Sequence, residues 1–149
     1  MPLLRTDLQM ALNDLHVTLL ESADYFRDAA EFLGGGQNQS AGNFLESLAD
    51  ERYQLAERIE AAIRDTGDLP SVPDTDRETG NELWQKLEAL MDDDKTAHIL
   101  AQRLEAEEAI QQELESDAMD VFRSGYHKLY QAVVEHVQSA IARLQARLD

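Results

Sequence analysis

The chain has 149 residues and no cysteine, and its 30 acidic against 13 basic residues give a formal charge of −17. The length suits one domain, over 1–149, with room for a core. The composition excludes disulfides, thiolate metal sites and thiol nucleophiles, and the acid excess repels nucleic acid and anionic membranes. Only Lys86, Lys95 and Lys128 are lysines, and the acids are spread along the whole chain. Such a surface resists aggregation, and adaptation to high salt is a narrower reading of it. The start has no apolar core of a secretion signal, and no apolar run nears the ~20 residues of a membrane span. The expected location is the cytoplasm.

The first predicted helix begins at Thr6, where Thr6-Asp7-Leu8-Gln9 has the form of a capping box, and ends at Gly34-Gly35-Gly36. Leu12, Leu19, Phe26 and Leu33 recur at heptad spacing, with Leu8, Leu15, Ser22 and Ala29 as the companion row. The second helix is expected after Ser40 as N-cap and runs to about Thr66. Its rows are Ala41, Leu48, Leu55, Ala62 and Leu45, Arg52, Ile59, so that Arg52 interrupts an apolar seam.

Pro70 and Pro73 open a connection in which a short helix is expected from about Gly80 to Met91, carrying Leu83, Trp84, Leu87 and Leu90. The apolar face of that helix packs onto the bundle end or, as the competing reading, forms a homodimer contact. Asp92-Asp93-Asp94 can cap the third helix, from about Lys95 to Glu115, whose seam reads Ala97, Leu100, Leu104, Glu107, Gln111, Leu114. The fourth runs from about Asp117 to Leu148 with Phe122, Tyr126, Leu129, Val133, Val137, Ala140, Leu144 and Leu148 inward. Gly125 falls inside it at a cost of ~1 kcal/mol relative to Ala, which close approach of a neighbouring backbone would explain.

Four long amphipathic helices predict an all-α antiparallel four-helix bundle. The long connection between helices 2 and 3 lets those two run parallel, as in ferritin-like bundles with one crossover and here a short extra helix within it.

The chain resembles a bacterial ferritin-like four-helix family of unassigned function, the domain-of-unknown-function family 2383 type. The resemblance covers most of the chain. It rests on Leu12-Asn13-Asp14-Leu15, on Ser22-Ala23-Asp24-Tyr25-Phe26-Arg27-Asp28-Ala29-Ala30, and on Leu48-Ala49-Asp50-Glu51-Arg52. Trp84 before the aspartate triplet, and Glu105-Ala106-Glu107-Glu108, complete it. It implies a ferritin-like bundle with no established reaction, and it carries Asp24, Glu51 and Glu107 onto ligand-like positions.

A di-iron carboxylate site in such a bundle uses one Glu from each of two helices and Glu-x-x-His from the other two. No Glu-x-x-His exists here; the nearest forms are Glu51-x-x-Gln54 and Glu135-x-x-Gln138. By helical phase, Glu21, Asp24 and Glu135 point away from their seams, Glu51 lies at a flank, His136 at a margin, and Glu107 at a centre. Iron or manganese would therefore have Glu51, Glu107 and His136 as its candidate ligands. The simpler arrangement is a buried polar pair of Arg52 and Glu107, with Gln111 completing the hydrogen bonds.

No phosphate loop or catalytic triad is legible, and no catalytic residue is assigned. Tyr25, Tyr53, Tyr126 and Tyr130 read as seam-edge tyrosines rather than as an electron path. The expected function is a structural or interaction role without an intact di-iron site. The competing expectations are a di-metal oxidase or iron-handling protein, and an acidic adaptor for a basic partner.

Overall fold

The computed structural model describes residues 4–34, 36–73 and 84–149. Its long helices are α1 (Asp7–Leu33), α2 (Gln39–Asp65), α3 (Asp92–Leu114) and α5 (His127–Leu148), with a short α4 (Asp120–Gly125) before the last. Residues 84–88 form a further helical turn, and no strand occurs among the described residues. The expected segment before Trp84, including Gly80 and Leu83, lies outside them.

The capping box forms as the sequence predicts. The Thr6 hydroxyl accepts from the Gln9 N–H at 3.1 Å, and the Gln9 side chain accepts from the Thr6 N–H at 2.9 Å. Two first-turn donors would otherwise be unsatisfied. Thr6→Ala is therefore expected to cost about 1 kcal/mol in denaturant unfolding, and a loss under ~0.3 would mean that water substitutes for the cap. At the other end Gly34 takes φ 63°, a conformation that strains any side chain, and its N–H bonds to the Ala30 carbonyl.

The start of α2 differs from expectation. A 3₁₀ turn (Gly36–Asn38) precedes it, and Asn38 rather than Ser40 occupies the cap position. Asn38 makes no capping bond because its side chain accepts from Thr96 of α3 at 2.7 Å. At Gly42 a neighbouring backbone comes close: a Cβ there would lie 3.4 Å from the Ala30 carbonyl oxygen and 3.5 Å from that of Gly34.

The fourth predicted helix is broken. Tyr126 leaves helical geometry at φ −137°, ψ 57°, separating α4 from α5. Gly125 precedes that break and weakens the local helix. A Cβ on it would meet only Leu8 methyls at 3.8 Å, an ordinary contact, so no neighbouring backbone crowds Gly125.

Cross-helix bonds fix the helix directions. Asn13 reaches Asp68 and Ser22 meets Arg52, so α1 and α2 are antiparallel. Thr18–Glu113 and Tyr25–Gln102 set α3 antiparallel to α1. Arg52–His136, Glu51–Arg143 and Ser40–Arg147 do the same for α5 and α2. Asn38–Thr96 and Arg52–Glu107 run in one sense, so α2 and α3 are parallel. The long helices thus pack in pairs as a helical bundle.

Apolar side chains fill the bundle in two blocks. Leu12, Leu15, Leu19, Ile59, Ile63, Phe122 and Val133 belong to one. Phe26, Leu33, Leu45, Leu48, Ile99 and Leu144 belong to the other. The predicted rows of α1 and α2 match this closely. The α3 seam is turned: Ile99, Arg103 and Ile110 are buried, whereas Ala97 is exposed and Leu104 and Gln111 are half-buried. Leu148, expected inward, is exposed at the last residue of α5. Trp84 stacks on Phe32 at a ring-centroid distance of 5.0 Å and tilts against Tyr25 at 5.2 Å. Its indole thus packs within the chain, and Leu87 is buried beside that block.

Candidate functional site

Between the two apolar blocks each long helix contributes one polar side chain. These are Ser22 from α1, Arg52 from α2, Glu107 from α3 and His136 from α5. Arg52 and Glu107 are both 0% exposed, and Glu107 is the only buried acid among the described residues.

The guanidinium of Arg52 organises the layer. Nη1 donates to Glu107 Oε1 at 3.0 Å and Nη2 to Oε2 at 2.6 Å, a bidentate pair. Nη1 also donates to the Ser22 hydroxyl at 2.9 Å, which in turn donates a hydrogen bond to the Leu19 carbonyl. Nε donates to His136 Nδ1 at 3.0 Å. A buried charge without partners would be severely penalised; here both ions are paired and hydrogen-bonded. The Phe26 ring lies 5.7 Å from the Arg52 guanidinium carbon and closes one side.

That last bond fixes the state of His136. An imidazole nitrogen that accepts a proton from Arg52 carries none, so in neutral His136 the proton sits on Nε2. Burial, followed by the charge of Arg52, holds the His136 pKa below its ordinary value, with Glu51 and Glu107 opposing. Nε2 is buried and makes no hydrogen bond; Glu51 Oε1 lies 3.7 Å away.

Sequence placed Arg52 and Glu107 together, and the structure does the same. Gln111 does not complete the cluster: it contributes no hydrogen bond to it among the described residues, and Ser22 and His136 fill that role. Glu51 is turned to Arg143, whose Nη2 donates to it at 3.0 Å, and this lowers the Glu51 pKa. Asp24 accepts from the Tyr53 hydroxyl and faces Arg27 at 3.5 Å. Burial and then this bond raise the Tyr53 pKa well above its usual value. Glu107 and His136 are therefore both bound to Arg52 and Glu51 to Arg143, and no group of three acidic or histidine side chains converges as for a metal among the described residues.

Sequence reasoning missed Arg103, one turn before Glu107. It is 92% buried by residue surface (8% exposed), and its guanidinium carbon sits 3.5 Å from the Tyr25 ring centroid. A charged residue in a helix ordinarily reads as solvent-facing. The available signal was Tyr25 and Phe26 on α1, flat faces on which a guanidinium can stack. Burial lowers the Arg103 pKa, while Tyr25 and Glu107 oppose the shift. Arg103 Nε has no hydrogen-bond partner.

No helix among the described residues is long and apolar enough to cross a membrane. Comparison with protein-family models, with curated proteins and with solved structures finds no match.

Proposed function

We propose that the chain is a ferritin-like four-helix bundle that closes its central layer with an internal cation, Arg52, and serves a structural or interaction role. The observation that carries the reading is the bidentate pairing of Arg52 with both oxygens of Glu107. In a di-metal bundle the inward glutamates bridge metal ions. Here the inward glutamate has both oxygens committed to a guanidinium. His136 supports the same reading, because the nitrogen away from Arg52 carries a proton and offers no lone pair to a metal. The parallel course of α2 and α3 and the lack of an inward carboxylate on α1 agree with it.

The test is metal content. Protein made in medium rich in iron and manganese, purified without chelator, is expected to hold under ~0.1 metal ion per chain, against the one or two of an occupied carboxylate site. One stoichiometric ion that is lost in Glu107→Gln would overturn the proposal.

A further inference from the structure

A cleft at the far end of the bundle from Thr6 lies between the start of α2 and the end of α5. It is shallow and open to solvent, with a volume of about 640 Å³, and its lining includes Ser40, Asn43, Phe44, Ser47, Arg143 and Arg147. Among the described residues no acidic side chain lines it, although the chain has 30 acids. An adjoining cleft shares Ser40 and Arg147, and among the described residues no carboxylate lines it either. In a molecule of charge −17, this is a surface whose described lining offers an anion cations and neutral donors.

The cations are also held in place. Arg147 stacks on the Phe44 ring at 4.4 Å and Arg143 at 5.7 Å, one helical turn apart on α5. Arg143 is neutralised by Glu51 behind the cleft. Arg147 has no carboxylate partner among the described residues; its Nη2 makes one long bond of 3.3 Å to the Ser40 hydroxyl. A guanidinium already oriented by a ring loses less freedom when its fork grips an oxyanion. Ser40, Ser47 and Asn43 supply the neutral donors that such a ligand's remaining oxygens need.

We infer that this cleft binds an oxyanion, with Arg147 as the principal charge and phosphate as the preferred group. Phosphate offers a dianionic acceptor to the fork and further oxygens to the hydroxyls, whereas a carboxylate has only two.

The experiment titrates inorganic phosphate, pyrophosphate and acetate separately into ¹⁵N-labelled protein in ~0.1 M sodium chloride, where charges beyond about 10 Å are screened. Amides of Ser40, Asn43 and Phe44 and the Arg147 side chain are expected to shift and saturate near ~1 mM pyrophosphate. Arg147→Gln should weaken this about tenfold, while Arg58→Gln should leave it unchanged. Arg58 is an exposed arginine that also has no carboxylate partner among the described residues, so it controls for charge alone. Both replacements are at the surface, and circular dichroism verifies that each variant is folded. Non-saturating shifts, or equal weakening by the two variants, would overturn the site. Acetate binding as tightly as phosphate would overturn the preference for phosphate.

Discussion

Arg52→Leu is expected to destabilise the protein by about 3–5 kcal/mol, because it leaves the Glu107 carboxylate buried without its cation. Against a typical total of ~5–15 kcal/mol, that is a large fraction of the fold's stability. Glu107→Leu should cost a similar amount for the mirrored reason: a guanidinium at 0% exposure would keep only Ser22 and His136. The double variant, Arg52→Leu with Glu107→Leu, fills the layer with apolar volume and is expected to recover most of the loss. Urea unfolding followed by circular dichroism gives all four corners of the cycle. If either single variant falls within ~1 kcal/mol of the parent, the pair is not the buried, dry interaction that the geometry describes.

The expected recovery shows what the pair does. A well-made buried ion pair often contributes little net stability compared with apolar residues of similar volume. Its effect here is selectivity among packings. The apolar faces of four amphipathic helices can pack in several registers and orders, all greasy and nearly equal in energy. Arg52 satisfies its donors only where Ser22, Glu107 and His136 arrive together, one from each of the other long helices. A shift of one turn in α2 or α3 would strand a charge, and one in α1 or α5 would leave an Arg52 donor without its acceptor. The polar layer therefore specifies the parallel placement of α2 and α3, which the long connection permits but does not require.

Much of this arrangement was legible in the chain. The heptad rows of α1 and α2 predicted their buried residues, including Arg52 as the intruder, because a long and regular apolar stripe overrides the preference of one charged residue for water. Glu107 followed from the same argument. The rest failed for local reasons. The α3 seam is short of large apolar residues, so periodicity defines its phase weakly, and it does not include Arg103, which Tyr25 gives a stacking surface. Ser40 has the side chain of a good cap, but the structure puts Asn38 at the cap position, and the hydrogen bond from Thr96 explains why Asn38 forgoes its capping bond. His136 sat at the margin of its seam by periodicity alone. Its role depends on Arg52 reaching across from another helix, a distance that sequence spacing on one helix does not encode.

His136→Leu should expose that role in two ways. The variant leaves the Arg52 Nε–H buried without an acceptor, at an expected cost of about 2 kcal/mol at pH 7.5. It should also flatten the acid side of the stability profile. The folded-state pKa of His136 is lowered, first by burial and then by Arg52, whereas in the unfolded chain it lies near ~6.5. The unfolded state therefore binds the proton more readily. The contribution of neutral His136 is fully present above about pH 6.5 and is lost as pH falls toward and through the folded-state pKa. Around the ring, Arg52 and Glu51 face it from α2, Glu107 from α3 and Arg143 from its own helix. The two acids soften the penalty, but a proton on Nδ1 would set two donors against each other at 3.0 Å. Unfolding free energies measured from pH 7.5 to 5 should fall more steeply in the parent than in His136→Leu, so the gap between them narrows with acid. Parallel slopes would mean that the imidazole does not hold Arg52 as a neutral acceptor, and the proton assignment in the layer would have to be reversed.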